Sequence, residues 1–251
     1  MRRILAVGFI LLASGCSYIN PLVEEFNIVS PAQESQIGTQ VAAQVSKDMK
    51  VISGTADAAT VQRIGAKLLA GLPSKDFDYH FYVVEDSSPN AFTIPGGTIY
   101  VHTGTIKLVH DESELAGVIA HEIGHAYERH PAKSISRQYG VDYLNKLLFK
   151  GNSSQLKQIS LQLAQQSLLL HYGRDEEFQA DEVGYQLLSR TGYRTDGLVR
   201  FFRTLQTLEG KGATLPFLST HPPTPERIAR LEAMEKNKGL VTAISTTSLA
   251  R

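Results

Sequence analysis

Residues 121–125 read His-Glu-Ile-Gly-His, so that two imidazoles stand four positions apart with a carboxylate next to the first. On an α-helix, residues four apart lie one turn apart on the same face. Two histidines at this spacing can bind a single zinc ion. Zinc lowers the pKa of a bound water to about 7, and Glu122 is placed to accept the proton from that water. The motif therefore predicts metal-assisted hydrolysis, with His121 and His125 as ligands and Glu122 as the general base.

The alternative is a surface helix that carries two solvated histidines. The six residues at 115–120 are all apolar or glycine, which indicates that the helix is buried. Burying two histidines and a glutamate without partners costs free energy, and a metal ion supplies those partners. The surrounding sequence therefore favours the metal site.

A catalytic zinc is held by three protein ligands and keeps a fourth position open. Residues 177–181 read Glu-Phe-Gln-Ala-Asp on a second predicted helix. Glu177 is the best candidate for the third ligand, and the neighbouring Glu176 would point about 100° away around that helix. Asp181 lies one turn from Glu177, where it can accept a hydrogen bond from a ligand histidine. Charge alone leaves a second interpretation open, in which residues 174–177 are a solvated helix start.

Helical segments dominate the rest of the chain. Asp111, with Glu114 three residues later, indicates the cap of the helix that carries the metal motif, and Pro131 is expected to end that helix. Apolar spacing of helical period predicts further helices over residues 31–50, 56–71, 134–149, 153–171, 175–190, 196–209 and 225–235.

A small sheet of about three strands is expected to interrupt these helices. Residues 77–83 alternate apolar and polar side chains, which is typical of a strand. Residues 91–94 and 98–101 flank Pro-Gly-Gly at 95–97, and this arrangement predicts a hairpin. The predicted fold class is α+β and mostly helical, with the small sheet and its hairpin beside the helix of the metal motif.

The N-terminus predicts export. Residues 1–15 combine a basic start, a short apolar run and small residues, which describe a signal peptide. Cys16 follows the small residues as in a bacterial lipobox, where the thiol is acylated and becomes the new N-terminus. Ser17 after the cysteine favours the outer membrane, by analogy with known lipoproteins. An ordinary signal peptide with an incidental cysteine is the alternative. Residues 16–29 are then a tether.

The composition of the chain argues against several other classes of protein. Lys plus Arg equals Asp plus Glu, 25 against 25, which argues against a nucleic-acid binder that works by bulk charge. One cysteine excludes an intramolecular disulfide. Nothing after residue 16 is apolar and long enough to cross a membrane. We expect one domain over residues 30–235 and a flexible C-terminal tail over residues 236–251.

Segments 121–125 and 177–181 together resemble metallopeptidase family forty-eight, and Arg174, just upstream of the second segment, adds to the resemblance. This family includes the HtpX heat-shock protease and the CAAX prenyl endopeptidase. The resemblance covers about residues 30–235. It implies a gluzincin-type domain, one zinc ion per chain, and Glu177 as the third ligand. His130 matches a histidine common after the family's zinc motif and is interpreted as structural. The membrane spans of those two members are absent here, so the chain resembles a lipid-tethered branch of the family.

Two further segments match that family. Residues 90–100 resemble its hairpin beside the cleft, whose edge strand pairs with an extended peptide; a purely structural hairpin is the alternative. His221, followed by Arg227, resembles a late His-Pro and Arg pair, and either side chain could stabilise an oxyanion. His221 as an ordinary core or surface histidine is an equally open alternative. The candidate substrate-strand residues are Asn90, Ala91, Phe92, Gly96 and Gly97.

The sequence thus predicts a zinc metalloendopeptidase on the periplasmic face of the outer membrane, anchored by lipid at Cys16. Its substrates are expected to be proteins or peptides, in particular misfolded envelope proteins, as part of protein quality control. Outer-membrane assembly proteins are candidate partners, and nucleic acid is not. One rival function is a metal-binding, non-catalytic chaperone or assembly factor. A second is a lipoprotein binding module with an accidental motif.

Overall fold

A computed structural model of the chain describes residue 27 and residues 29–140, 161–163, 172–213 and 215–237. These residues form a mostly helical α+β fold around one small sheet. The helices are α1 (Pro31–Asp48), α2 (Ala56–Leu69), α3 (Thr103–Leu108), α4 (Glu112–Tyr127), α5 (His130–Tyr139), α6 (Arg174–Thr191), α7 (Gly197–Glu209), α8 (Pro216–Thr220) and α9 (Pro225–Lys236), and the strands are β1 (Val51–Ile52), β2 (His80–Val84), β3 (Ala91–Ile94) and β4 (Thr98–His102).

The sheet is mixed, with the strand order β1-β2-β4-β3. Strands β2 and β4 run parallel, and the other two pairs are antiparallel. The predicted hairpin at residues 91–101 is confirmed, because β3 pairs with β4 across a turn in which Gly96 and Gly97 both have positive φ. This topology leaves β3 at an edge of the sheet.

Two details of the predicted sheet were wrong. The strand expected from Phe77 begins at His80, because Phe77 packs against the hairpin turn, where an ideal Cβ on Gly97 would lie 3.0 Å from its Cβ. A fourth strand, β1, has only two residues, which is too short for an alternating pattern to be recognised in the sequence.

The two faces of the sheet pack against different helices. Alternate residues of β2 and β4, such as Phe81 and Val101, join a core shared with α2, α4, α6 and α7. The other face contributes Phe92, Ile94 and Tyr100 to a second core with α1, α5 and Leu163. The alternation follows from the period of two along a strand, and it places α1 opposite the helices that carry the metal motif.

The helix of the metal motif begins as predicted and ends earlier than predicted. Asp111 is its N-cap, and the carboxylate accepts a hydrogen bond from the amide of Glu114 at 3.0 Å. The helix ends at Tyr127, and Pro131 stands in the first turn of α5 rather than closing α4. A proline is well tolerated in a first helical turn, where its missing amide hydrogen has no partner to lose.

Several predicted features lie outside the described residues: the signal peptide, Cys16, most of the tether, most of the helices expected over residues 141–171, and residues 238–251. The short helices α3 and α8 were not predicted. Within the part of the chain that the structure describes, no helix combines the length and the apolar character needed to cross a membrane.

Candidate metal centre

Four buried side chains with metal-binding donors converge between α4, α6 and the residue that follows α8. They are His121, His125, Glu177 and His221, and one donor atom from each lies within 4.8 Å of all the others. Nε2 of His121 and Nε2 of His125 are 3.0 Å apart. The structure therefore brings together residues that are separated by up to 100 positions in the sequence.

The three predicted ligands have the separations that a single ion requires. Nε2 of His121 lies 3.4 Å from Oε2 of Glu177, and Nε2 of His125 lies 3.4 Å from Oε1 of the same carboxylate. Donors held at about 2.0–2.1 Å around one tetrahedral ion are about 3.4 Å apart. The donor atoms of His121, His125 and Glu177 thus lie close enough together to bind one metal ion.

The charges at the centre fit a divalent cation as well. Three carboxylates, Glu122, Glu177 and Asp181, are buried beside a single buried guanidinium, that of Arg227. With neutral imidazoles, two negative charges remain among these side chains. Uncompensated charge is costly to bury, and a divalent cation would balance it.

Close packing of α4 on α6 lets the donors meet. An ideal Cβ on Gly124 would lie 2.6 Å from the carbonyl oxygen of Ala180, and one on Gly184 would lie 3.1 Å from the amide nitrogen of His121. Both distances are shorter than a normal contact, so a side chain at either position would push the helices apart. Glycine therefore allows the backbones to approach until Glu177 faces both histidines.

Asp181 and Arg227 support two of the ligands from behind. Oδ1 of Asp181 lies 3.0 Å from Nδ1 of His121, on the opposite side of the ring from the metal-facing nitrogen. Arg227 donates to both oxygens of Asp181 at 2.7 Å, and its Nη1 lies 2.6 Å from Oε2 of Glu177. The same Nη1 donates to the carbonyl of Pro222 at 3.0 Å. One buried guanidinium thus holds two carboxylates of α6 and the backbone next to His221.

His125 is held by a second set of contacts, which the sequence did not reveal. Its Nδ1 lies 2.9 Å from Nδ1 of His130, whose Nε2 lies 2.9 Å from Oε1 of Gln179. The ring of Tyr172 stacks on His125 with 4.0 Å between centroids and 24° between planes. The sequence marked His130 only through the family resemblance, and Tyr172 only as a polar residue near an apolar run that was interpreted as structural. No sequence signal pointed to Gln179 as a partner of His130.

The electrostatics differ between the two histidines. Burial alone lowers the pKa of His121, but hydrogen bonds and charges from Asp181 and Glu177 reverse this effect and raise that pKa to about 9. Burial lowers the pKa of His125 well below its usual value. Burial would raise the pKa of Glu177, but the charges of His221 and Arg227 hold it well below the usual range. The carboxylates thus favour a cation here, and protons and metal compete for the same nitrogen atoms.

Glu122 lies beside the donor cluster and is fully buried. The hydroxyl of Thr93, on the edge strand β3, lies 2.8 Å from Oε2 of Glu122 and 2.9 Å from its backbone carbonyl. Oε1 of Glu122 lies 3.4 Å from Nε2 of His221. The edge strand and the carboxylate predicted to act as base are therefore in direct contact, a link through Thr93 that the sequence did not predict.

The candidate substrate-strand residues divide into two groups. Ala91 and Phe92 belong to β3 itself, and Asn90 precedes it, with its side chain accepting a hydrogen bond from the amide of Ala91 at 3.0 Å. Gly96 and Gly97 form the turn, with φ values of 81° and 86°. The outer edge of β3 has no strand partner among the described residues. Cys16, the predicted lipidation site, lies outside those residues.

Comparison with known proteins agrees with this geometry. The sequence profile of Peptidase family M48 matches residues 55–235. The chain is 31% identical over 173 residues to "Mitochondrial metalloendopeptidase OMA1" of Schizosaccharomyces pombe, covering 68% of this chain and 51% of that protein. It is 31% identical over 197 residues to "Metalloprotease YcaL" of Escherichia coli K12, covering 77% of this chain and 72% of YcaL.

A third relative is the "Beta-barrel assembly-enhancing protease" of Escherichia coli K12, which is 26% identical over 211 residues, covering 80% of this chain and 43% of that protein. The chain thus spans about half or less of the length of two of these three relatives. The family match covers most of the chain and contains all three residues whose donors fit one ion, His121, His125 and Glu177. This protein is a member of peptidase family M48, and the two histidines and the glutamate that can bind a metal ion are in place.

Proposed function

We propose that this chain is a zinc-dependent endopeptidase that binds one zinc ion per chain and uses Glu122 as its general base. The observation that carries the proposal is the convergence of His121, His125 and Glu177 next to the buried carboxylate of Glu122. Two imidazoles and a carboxylate are the ligand set of many catalytic zinc sites. When bound, zinc supplies a Lewis acid that polarises an oxygen and makes water acidic enough to react at neutral pH.

Glu122 is suited to move the proton. Its carboxylate is one residue from a ligand, is held by the Thr93 hydroxyl on one oxygen, and has its other oxygen facing the donor cluster through His221. A base in this place takes a proton from the attacking water and then gives it to the leaving amine. A purely structural metal site has no need of such a group, which argues against the non-catalytic chaperone.

The edge strand β3 supports an extended peptide as substrate. It ends the strand order of the sheet, and its Thr93 contacts Glu122 directly. Backbone pairing along the edge strand of a sheet binds a peptide with little regard to its side chains. A protein chain in extended conformation, as in an unfolded or stalled protein, presents such a backbone.

Arg227 is better suited to positioning than to oxyanion stabilisation. Its guanidinium already donates to Asp181 and to the carbonyl of Pro222, and it lies against Glu177. A group that stabilises an oxyanion must have a donor directed at the substrate. We therefore assign Arg227 and Asp181 to the support of the ligands, and His221 to the fourth position of the donor cluster.

The location that we propose is the periplasmic face of the outer membrane, with a lipid on Cys16. The support is the basic, apolar and small-residue pattern of residues 1–16. Two of the relatives come from Escherichia coli, and one carries the name of a protease that enhances β-barrel assembly. Misfolded or stalled envelope proteins are the proposed substrates, and assembly proteins of the outer membrane are the proposed partners.

The test combines metal analysis with one substitution. We expect the purified protein to hold one zinc ion and to cleave an unfolded protein such as casein. Glu122→Gln should keep the zinc and lose activity by at least about 100-fold, since only proton transfer is removed. Glu128→Gln, at the C-cap of the same helix, is the matched control, because the charged groups that act on its carboxylate are Lys133 and Glu182 rather than the donors. Wild-type turnover by zinc-loaded Glu122→Gln would place the base elsewhere, and a zinc-loaded wild type without activity would favour the chaperone.

A further inference from the structure

Glu34 is a buried carboxylate, outside the metal centre, that joins three parts of the fold. It lies on α1, and its Oε2 accepts a hydrogen bond from Nε of Arg129 at 2.8 Å. Its Oε1 faces the amide nitrogen of Gly96, in the hairpin turn, at 3.5 Å. Burial raises the pKa of Glu34 to about 7, although the charge of Arg129 and the Gly96 amide pull it down. A carboxylate buried at this cost needs its two partners.

Helix α1 is packed directly onto the backbone of the hairpin turn. An ideal Cβ on Gly38 would lie 1.9 Å from the carbonyl oxygen of Pro95, and one on Gly96 would lie 3.0 Å from Cα of Ser35. Neither position has room for a side chain. The contact is therefore between backbones, and Glu34 adds a polar contact in the middle of it.

Arg129 is held in an unusual conformation between the metal helix and α5. It is the only residue other than glycine with positive φ in the described part of the chain, at 58°. This left-handed conformation costs an arginine about 1 kcal/mol or more. Its guanidinium donates to Glu34 and to the carbonyl of Val29, just before α1. The two contacts hold the chain where it leaves the metal helix.

Both partners of Glu34 lie a few residues along the chain from side chains that contact the metal centre. Gly96 follows β3, whose Thr93 hydroxyl contacts Glu122. Arg129 precedes His130, whose ring contacts the ligand His125. The profile of the family begins at residue 55, so α1 lies outside the matched residues.

We propose that Glu34 is a positioning residue, whose carboxylate fixes the hairpin turn to Arg129 and so holds the outer edge of β3 against the metal helix for peptide binding. The peptide-binding part rests on the proposed function. The positioning part concerns the hairpin itself and can be measured without any substrate.

The first experiment follows hydrogen exchange of the full chain at pH 8, where Glu34 is ionised. Glu34→Gln keeps the shape of the side chain, but its amide has one acceptor oxygen and can no longer accept from both Arg129 and the Gly96 amide. We expect amides of residues 91–102 to exchange about tenfold faster, because one of the two buried donors is left without an acceptor. Exchange of the amides of α2 should be unchanged. Asp48→Asn, at an exposed position of α1, the helix that carries Glu34, should behave as wild type. Unchanged exchange in the hairpin, or equal acceleration throughout, would overturn the proposal.

The second experiment uses kinetics to separate positioning from general loss of structure. For a peptide long enough to lie along β3, Glu34→Gln should raise KM about tenfold, with kcat within about twofold of wild type and zinc content unchanged. Arg129→Lys keeps the charge but lacks the planar guanidinium that contacts Glu34 and Val29 together, and should produce the same hairpin-specific change. A fall in kcat without a rise in KM would contradict peptide positioning. Faster hairpin exchange in a protein without peptidase activity would instead overturn the proposed function alone.

Discussion

Nδ1 of His221 lies 3.0 Å from Oε1 of Glu177, in the position of a fourth donor to the predicted ligand set. It is also 3.3 Å from Nε2 of His121, and the ring is almost completely buried. Imidazole is a good zinc ligand. This arrangement suggests a resting state in which His221 occupies the position that water and substrate need.

We therefore expect His221→Ala to raise basal cleavage, by about threefold to tenfold, since one competing ligand is removed. Initial rates on an unfolded protein at saturating zinc test this. If His221 instead stabilises the oxyanion, the same substitution lowers kcat by about 100-fold. The two roles give opposite signs, and an unchanged rate would leave His221 as a structural residue.

Gly124→Ala should weaken metal binding without changing any ligand. The new Cβ would lie 2.6 Å from the carbonyl oxygen of Ala180, which is backbone and cannot rotate away. We expect the two helices to separate, zinc affinity to fall at least tenfold, and the free energy of unfolding to fall by about 1–3 kcal/mol. Chelator competition and thermal unfolding measure the two effects. Gly210→Ala, where the nearest atom is at 3.4 Å, is the control. Normal zinc affinity in Gly124→Ala would refute this account of the glycine.

Asp181→Asn should lower zinc affinity through His121. The carboxylate faces Nδ1 of that ring and helps to raise its pKa. A carboxylate behind a ligand histidine fixes the ring and makes it a better donor, and its loss typically reduces metal affinity by about 10–100-fold. Competition with a chromogenic chelator gives the affinity. Asp175→Asn, exposed on the same helix, should bind zinc as wild type does; equal affinities for both variants would contradict the supporting role.

The stability of the protein should depend on pH through Glu34. Its pKa is raised to about 7 in the folded state, against an ordinary value of 4.5. The folded state therefore holds the proton more tightly than the unfolded state, and the stabilisation is fully present below about pH 4.5 and lost as the pH rises through about 7. The difference corresponds to about 3 kcal/mol. Arg129, Asp76 and Tyr79 are the titratable or charged groups near this carboxylate.

Denaturant unfolding at several pH values, for wild type and Glu34→Gln, measures this contribution. The free energy of unfolding of wild type relative to the variant should fall between pH 4.5 and pH 8. Taking the difference removes the contributions of all other groups. A difference that does not change with pH, or that rises, would show that Glu34 is ionised throughout that range.

Cys16→Ser should release the protein from the membrane fraction of its host. Several acyl chains on one N-terminal cysteine hold a protein firmly, whereas a single chain binds only marginally. Fractionation with mass spectrometry of the mature N-terminus tests this. A mature chain that is cut at another position, with Cys16 absent or unmodified, would rule out the lipid anchor.

The local parts of the centre follow from the sequence alone. A period of 3.6 residues places His121 and His125 on one face of any helix that contains them, with Glu122 beside the first. The caps of α4 and the Pro-Gly-Gly turn are likewise local, because each depends on residues within a few positions. The role of Pro131 was predicted wrongly because a proline can either follow a helix or stand in the first turn of the next one. Only the left-handed conformation of Arg129 decides between the two.

The convergence of the centre was decided by tertiary packing. Sequence spacing left Glu177 open to a solvated helix start, and it faces the histidines because Gly124 and Gly184 let α6 approach α4. Arg227 is directed inward because four oxygen atoms, three of them on α6, surround its guanidinium. Glu34 gave no signal in the sequence, since a glutamate on a helix is usually solvated. Contacts between residues far apart in the sequence depend on how whole elements pack, and no local pattern encodes that packing.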